Sequence, residues 1–506
     1  MHVTRKIILS ATVIAMLTTF GWIGQTSGQM VSALDSDGLN SEEVDNTIPN
    51  PEWLGYREFD VVAAPAPLPA RKFRLTWSYI EKRSGNAALS YNRFGNSYEG
   101  GSPLTRKLDP DDPQSTVEMR ISELMDLPPE EMPLDEAKEL LGEYFYQRIM
   151  DATRHEYCDF DYRIRESREP FAILLPEVSM MRGLARALAL KARVEILEGD
   201  YADAVETIKS GVEMARHTAE TPFLVSGLVG TAIYRIMHAE LELLIQQPDA
   251  PNMYWALSTL PRPIIDYREA LECESDFFFI MFPQLHDLDR KFDDLDFDLS
   301  DLQSGMNSVM NMSDGGSEWQ MRGLVAAMAL KGYPAARDWM IELGFTREEV
   351  ESRPLTEVVV RYAMYQYELE RDEMFKWLSL PYWQAIDGIH EADVFVTERM
   401  RQDILPIGAL LLPAIGAVHS AQARQERDID LLRIVEAIRM HADANDGRLP
   451  ATLDEITIVP IPFDVSTGKP FSYRVEGETA ILESGALDQY PEHSARHYRI
   501  TIVDPE

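Results

Sequence analysis

The run RGLARALALKARVEILE at residues 182–198, followed by Gly199 and Asp200, decides the class of fold. Its apolar side chains recur at spacings of four residues, which is typical of a helix with a buried stripe: Leu184, Leu188, Ala192 and Ile196. A second stripe indicates burial on more than one side: Leu190, Val194 and Leu197. Gly199 then ends the helix, because glycine readily adopts the left-handed conformation that follows a helix C-terminus.

Two further helices are predicted directly after this turn. The first has one apolar face formed by Ala204, Ile208, Val212 and Ala215. The second covers residues 223–245 and is expected to bury Leu224, Leu228, Ala232 and Ile236. Proline residues then interrupt the chain at several places up to about residue 400. The pattern predicts a mainly α-helical fold built from helical hairpins, with a helical body at residues 73–424.

The turn at residues 199–204, Gly-Asp-Tyr-Ala-Asp-Ala, resembles the turn between the helices of a tetratricopeptide repeat. In such a turn glycine permits the sharp reversal and the small alanine lets the helices approach. The resemblance covers one helix pair and no regular recurrence follows it. It implies stacked helical hairpins, with a solenoid of the tetratricopeptide type as one architecture for the body.

The character of the chain changes at the C-terminal end, residues 425–506. A long helix is predicted at 426–444, with Leu431, Val435, Ile438 and Ala442 on its inner face. Strands are predicted after it at 456–461, 471–475, 479–483 and 498–503. This part is expected to form a small α+β module.

The N-terminal end has the pattern of an export signal. His2, Arg5 and Lys6 precede an apolar run at 7–23, so residues 1–28 are interpreted as a signal peptide or an N-terminal membrane anchor. Residues 29–72 are expected to be a flexible linker, with a Pro- and Ala-rich stretch at 63–70. A second apolar stretch at 404–418 is too short to cross a membrane comfortably and is expected to be a buried helix.

Composition restricts the class of partner. The chain has 506 residues, of which 84 are acidic and 48 basic, giving a formal charge of −36. This charge argues against general nucleic-acid binding, because a phosphate backbone requires clustered Lys and Arg. Its two cysteines, Cys158 and Cys273, are too few for a disulfide framework or a zinc cluster, although a disulfide between them stays open.

Two stretches suggest metal binding, and each also has a simpler interpretation. His155 and Asp159 would lie one turn apart on a helix, as metal ligands can, but no third ligand is evident and a polar helix surface is favoured. Residues 287–301 are rich in Asp, and a calcium site there stays open beside a solvated acidic loop. The spacing excludes an EF-hand, because Leu299 and Gly305 stand where that loop needs Gly and Glu. No cofactor is expected.

The remaining candidates have structural explanations. Glu436, between Arg433 and Arg439, is expected to be a charge-satisfied interface residue rather than a general acid. His217 and His441 lie near predicted helix ends, where capping or helix-dipole roles are expected. Aromatic residues cluster at 276–282 and 362–383, where packing in the core is favoured over a glycan-binding groove. No catalytic motif is found.

The C-terminal module resembles the head domain of type II secretion pseudopilins. The similarity is carried by residues 439–450, RMHADANDGRLP, by Leu453-Asp454-Glu455, and by residues 463–473 with the turn Gly468-Lys469-Pro470. The pilin leader and its following Glu are missing, so a polymerising pilin subunit is not implied.

The chain is also similar to a family of uncharacterised, signal-bearing proteins of planctomycete-type bacteria. The similarity spans roughly residues 80–485 and implies a location in the cell envelope without an activity. Its carrying residues are Leu174-Leu175-Pro176, residues 182–186, Ala215-Arg216-His217, residues 254–257 with Leu260-Pro261, Asp372-Glu373 with Lys376-Trp377, and Leu380-Pro381-Tyr382.

These observations together predict an exported protein, either periplasmic or anchored to the membrane and facing the periplasm. A non-enzymatic, partner-binding helical scaffold is the favoured function. The expected partner is another protein of the envelope, and the membrane is expected to be contacted only through the N-terminal segment. The alternative is a periplasmic hydrolase or glycan-binding protein with a site among the aromatic-rich helices.

Overall fold

A computed structural model provides the structure of the protein and describes residues 56–95, 102–109, 111–112, 115–167, 170–281, 318–400, 414–485, 487 and 495–504. The predicted signal segment at 1–28, residues 29–55 of the predicted linker and the acidic stretch at 287–301 lie outside these residues. Of the apolar stretch 404–418, only 414–418 is described; it belongs to a helix in which Ile415 and Val418 are buried.

The described residues form a mainly α-helical protein with a small α+β part. The α-helices are α1 (Ala88–Gly95), α2 (Val117–Met125), α3 (Leu134–Leu140), α4 (Glu143–Thr153), α5 (Pro176–Glu198), α6 (Tyr201–Ala219), α7 (Leu224–Ile245), α8 (Tyr254–Ser258), α9 (Arg268–Ser275), α10 (Phe277–Met281), α11 (Glu318–Glu342), α12 (Arg347–Ser352), α13 (Leu355–Phe375), α14 (Tyr382–Met400) and α15 (Ala414–Ala444). The strands are β1 (Arg57–Val61), β2 (Arg83–Asn86), β3 (His155–Tyr157), β4 (Phe463–Asp464), β5 (Lys469–Pro470), β6 (Ser472–Glu476), β7 (Thr479–Ser484) and β8 (Arg496–Ile502).

The described chain divides into two compact units, and neither matches a continuous stretch of sequence. The larger unit contains the described residues of 56–161, 175–270 and 420–504, and the smaller unit contains those of 162–174, 271–400 and 414–419. The expected boundary at residue 425 therefore does not separate a C-terminal module from a helical body. Residues 425–504 share a unit with the helices α5 to α7 because the N-terminal strand and several loops pack on them.

The helices α5, α6 and α7 form the core of the larger unit. The residues predicted on the stripes of α5 and α6 are buried except for Leu197, which is half-buried, and the predicted hairpin turn is present. Gly199 adopts a φ of +83°, and its N–H bonds to the carbonyl of Ile196 at 3.1 Å while the N–H of Asp200 bonds to Glu195 at 2.9 Å. These bonds satisfy the carbonyls at the end of α5, as expected of a helix that ends at glycine.

The stripe predicted for α7 is wrong. Leu224, Leu228, Ala232 and Ile236 are only half-buried. The buried face is turned by one residue and consists of Val229, Ile233, Tyr234, Met237 and Leu241. Gly230 explains the rotation, because a Cβ there would lie 2.6 Å from the carbonyl oxygen of Ala215 on α6. The bare backbone of α7 at Gly230 thus allows a close approach of the two helices.

The sheet of the larger unit has the strand order β1-β8-β7-β6. The strands predicted at 471–475, 479–483 and 498–503 are present as β6, β7 and β8, and the pairs β6–β7 and β7–β8 are antiparallel. The inner face predicted for α15 is buried. The predicted strand at 456–461 is absent, because residues 456–462, which are described, form a loop after the short 3₁₀ turn Leu453–Glu455.

The structure corrects the expectation that residues 29–72 form a flexible linker throughout. Residues 57–61 form β1, which pairs in parallel with β8 in the register Arg57 with Tyr498 and Val61 with Ile502. Phe59 and Val61 point into the core and are at most 2% exposed. The folded part therefore begins before Phe73, because the alternating apolar side chains of this strand are buried by a partner more than four hundred residues away.

The smaller unit has its own core between α11, α12 and α13. The buried residues of this core are Ala336, Trp339, Met340, Val350, Val358 and Val359. The helix α12 begins with a capping box, in which the Thr346 hydroxyl accepts from the N–H of Glu349 at 3.2 Å and the Glu349 carboxylate accepts from the N–H of Thr346 at 2.7 Å.

Candidate functional site

A groove of about 610 Å³ opens on the larger unit beside the turn between α5 and α6. It is lined by residues 62–68, Lys72 and Phe73, by the turn residues Gly199, Tyr201 and Ala202, by residues 249–252 and by Arg439. Each part belongs to a different stretch of sequence, so only the fold brings them together.

The first wall is the Pro- and Ala-rich stretch that follows β1. The N–H of Ala64 bonds to the carbonyl of Arg439 at 3.2 Å, and the carbonyl of Val62 accepts from Nε of Arg439 at 2.8 Å. Pro65 and Pro67 have no N–H and restrict the backbone to an extended shape. This wall therefore presents short apolar side chains on a backbone that is anchored at its beginning.

The second wall is the turn between α5 and α6. Gly199 and Ala202 are small, and a Cβ added to Gly199 would meet no heavy atom within 4 Å, so the turn leaves the groove open. The hydroxyl of Tyr201 donates to the carbonyl of Pro248 at 2.6 Å. This bond ties the turn to the loop 249–252, which forms the far side of the groove.

Arg439 lies at the base of the groove and connects the stretch at 62–68 with the loop at 249–252. Its Nη1 lies 3.1 Å from both carboxylate oxygens of Glu436, and its Nη2 donates to the carbonyl of Ala250 at 2.9 Å. The amide of Asn252 donates to the carbonyl of Glu436 at 2.9 Å. Burial raises the pKa of Glu436 although Arg439 opposes the shift. Arg439 is fully buried and its donors are occupied, so it shapes the groove and does not present a charge to a ligand.

The chemistry of the groove is that of a binding surface. Its walls are mainly apolar, and Lys72 and Asp249 are the exposed charged side chains among its described lining residues. These lining residues include no His, Cys or Ser. An extended segment with small apolar side chains suits this shape, and opposite charges at the rim can orient such a segment.

His155 and Asp159 do not lie one turn apart on a helix, which was the arrangement considered for metal binding. His155 begins β3, and Asp159 lies beyond that strand, where its carboxylate accepts from the N–H of Asp161 at 2.7 Å. The helical spacing on which the metal hypothesis depended is therefore wrong. In the part of the chain that the structure describes, no group of three His, Cys, Asp or Glu side chains could hold a metal ion.

His217 does not cap a helix end. Its Nε2 donates to the carbonyl of His155 at 3.0 Å, and its Nδ1 accepts from the hydroxyl of Tyr91 at 3.1 Å. Burial lowers the pKa of His217 to about 3, so the ring is neutral and contributes no charge to the dipole of α6.

Burial also raises the pKa of the nearby Cys158 thiol, which makes this thiol a poor nucleophile. Cys158 and Cys273, both described, form no disulfide.

The described aromatic residues of the two predicted clusters are divided between the core and partly exposed positions. Trp339 stacks on Tyr365 with ring centroids 4.9 Å apart, and Tyr367 donates to the carbonyl of Ser275 at 2.6 Å. Of the clusters named from the sequence, Phe277, Phe279, Tyr367 and Tyr382 are buried, whereas Trp383 is 44% exposed. The ion pairs Lys376–Glu373 and Arg371–Asp372 lie on the helix surface. Glu436 is likewise satisfied by Arg439, whereas Arg433 pairs with Asp430 at 2.9 Å.

The groove is not among the sites predicted from the sequence, because its first wall has the composition of a linker. The tetratricopeptide-like turn was the available signal, since Gly199, Tyr201 and Ala202 belong to it. The second signal was the apolar alternation of Phe59 and Val61, which marks a strand just before the Pro-rich stretch.

Comparisons with protein-family models, with curated proteins and with solved structures find no match for this chain. Among the described residues, no helix combines the length and the apolar character needed to cross a bilayer.

Proposed function

We propose that the protein is an exported envelope scaffold whose groove beside the turn between α5 and α6 binds an extended segment of a partner protein. The observation that carries the proposal is the anchoring of the groove by Arg439, which bonds to Val62, Ala250 and Glu436. A groove whose walls are already fixed loses little conformational entropy when a ligand enters. The export pattern and the pseudopilin-like C-terminal residues are the reasons to expect the partner in the cell envelope.

The occupant that fits is a peptide segment with small apolar side chains. The stretch at 62–68 is itself extended and presents Ala and Pro, so a second extended chain can lie along it. Phe73 and Tyr201 supply aromatic surface, which contributes much of the binding energy in protein interfaces. Lys72 and Asp249 at the rim provide one charge of each sign.

A photoreactive amino acid at Ala66 in the full chain tests this proposal in intact cells. Ala66 lines the groove, whereas a matched probe at Tyr144, which is 76% exposed on α4, does not. We expect a protein adduct from the probe at Ala66 and none from Tyr144. Fractionation of the same cells should recover the adduct with the envelope. The proposal fails if both positions give the same adducts.

A blocking variant provides the second arm. Ala202→Trp places a large ring in the groove at an exposed position, and Ala239→Trp places the same ring on an exposed position of α7 outside it. We expect Ala202→Trp to abolish the adduct from Ala66 while Ala239→Trp leaves it unchanged. If the two variants behave alike while both unfold at the wild-type urea concentration, the groove is not the binding site.

A further inference from the structure

Tyr79 and Ile80 form the most exposed pair of neighbouring large apolar side chains in the described chain. Tyr79 is 91% exposed and Ile80 is 88% exposed. Side chains of this size usually bury most of their surface, because apolar area in contact with water is unfavourable. Two of them side by side on a turn indicate a surface that binds something apolar.

The turn that carries this pair is held rigidly. The N–H of Ser78 donates to the carboxylate of Glu81 at 2.8 Å, and the N–H groups of Glu81 and Lys82 bond to the carbonyl of Ser78 at 3.0 and 3.2 Å. The exposure of Tyr79 and Ile80 therefore results from a fixed backbone.

The base of the turn is anchored through Trp77, which is 4% exposed. The N–H of Trp77 donates to Glu213 at 3.1 Å, and its indole nitrogen donates to Thr153 at 3.3 Å. Lys209 lies over the indole ring at 4.1 Å from its centroid. Because Trp77 is held in this way, the neighbouring turn cannot move so as to bury Tyr79 and Ile80 in the core.

The sequence that carries the turn is basic in an otherwise acidic protein. Residues 71–83 contain five basic residues and one acidic residue, Glu81, in a chain whose net charge is −36: Arg71, Lys72, Arg74, Lys82 and Arg83. The carboxylate of Glu81 is engaged by Ser78 and by Lys209 at 3.5 Å. Arg83 is partly neutralised by Asp151 at 3.1 Å, and the side chains of both are about half exposed.

We propose that the turn 78–81 docks the protein peripherally on a membrane surface that contains anionic lipids. Tyr79 and Ile80 would enter the boundary between headgroups and acyl chains, a region that tyrosine favours because its ring is apolar and its hydroxyl polar. The flanking basic residues would bind the lipid phosphates. The remaining surface of the protein is acidic and would be repelled by these phosphates. This contact is separate from the N-terminal apolar segment, and of its residues only Lys72 also lies at the rim of the groove proposed to bind a protein.

A fluorescent label at the tip tests the proposal in the full chain. Tyr79→Cys in a Cys273→Ser background carries an environment-sensitive nitrobenzoxadiazole group, and Tyr144→Cys in the same background is the matched control at another exposed tyrosine. Both proteins are mixed with vesicles of phosphatidylcholine alone and with vesicles that also contain phosphatidylglycerol. Because the N-terminal segment is the same in both proteins, a difference between the labels reports on the tip.

We expect the label at position 79 to shift to shorter wavelength only with the anionic vesicles, and the label at 144 to respond to neither. Arg71→Gln and Lys82→Gln should each weaken vesicle binding about fivefold in low salt. Ile80→Ser should weaken it about tenfold by removing apolar surface. Equal responses at 79 and 144, an equal response to both kinds of vesicle, or no response at 79 would overturn the proposal. A tip that crosslinks to a protein but responds to no vesicle would overturn it as well.

Discussion

Arg439 and Glu436 face each other one turn apart on α15, and neither side chain has any exposed surface. Removing two charges from water is unfavourable unless the pair is well aligned and the remaining donors are bonded. Here the other guanidinium nitrogens bond to the carbonyls of Val62 and Ala250. Arg439, held by this ion pair, therefore fixes the position of two stretches of the chain relative to α15.

Replacing one partner of this pair should be strongly destabilising. Arg439→Met leaves the Glu436 carboxylate buried without a counter-charge and removes the bonds to Val62 and Ala250, so we expect the free energy of unfolding to fall by about 3–5 kcal/mol. Urea denaturation measures the loss. The double variant Arg439→Met with Glu436→Leu should be more stable than the single variant, because no buried charge remains. Arg448→Met is the control: its side chain is 75% exposed, so it should change stability by less than about 0.5 kcal/mol. Equal losses in Arg439→Met and Arg448→Met would contradict the assignment.

The neutral ring of His217 should make stability depend on acid pH. The pKa of His217 is lowered from 6.5 to about 3 by burial, so between these values the unfolded chain binds a proton that the folded protein does not. The neutral ring therefore contributes fully to the free energy of unfolding above about pH 6.5. This contribution, at most about 5 kcal/mol, is lost as the pH falls toward 3. Urea denaturation at a series of pH values measures this dependence.

The comparison that isolates His217 uses two variants. His217→Gln keeps a donor and an acceptor but cannot be protonated, so its stability should fall less steeply between pH 6.5 and 3 than that of the wild type. Tyr91→Phe removes only the hydroxyl bonded to Nδ1 and should lower stability by about 1–2 kcal/mol while the wild-type steepness is kept. Parallel pH profiles for the wild type and His217→Gln would show that the ring does not titrate as expected.

The close approach of α6 and α7 should tolerate no side chain at Gly230. A methyl group there would lie 2.6 Å from the carbonyl oxygen of Ala215, which is backbone and cannot move aside easily. We expect Gly230→Ala to lower the free energy of unfolding by about 1–3 kcal/mol, even though alanine is the better helix former. Gly142→Ala is the control, because a Cβ at Gly142 meets nothing within 4 Å and its φ is −71°. Thermal unfolding that is unchanged in Gly230→Ala would mean that the two helices can separate at little cost.

Prediction from the sequence succeeded where structure depends on neighbours along the chain. The buried faces of α5, α6 and α15 follow from helical spacing, and Gly199 marks the end of α5 because no partner is needed for a glycine turn. Prediction failed for α7, where hydrophobic spacing alone did not indicate the one-residue rotation imposed by Gly230 against Ala215. It failed also for His155, which the pairing of β3 with β2 draws into a strand.

The amino-acid sequence by itself determined that this protein is mainly helical, where several of its helices lie and where three of the strands near its C-terminal end lie. Local spacing is sufficient for this, because helix and hairpin formation depend on residues a few positions apart. Only the tertiary structure decided that residues 57–61 complete the sheet beside β8, that Arg439 holds Val62 and Ala250 together, and that these contacts form a groove. Such contacts join residues hundreds of positions apart, and their free energy arises only when burial brings the partners together and excludes water from between them.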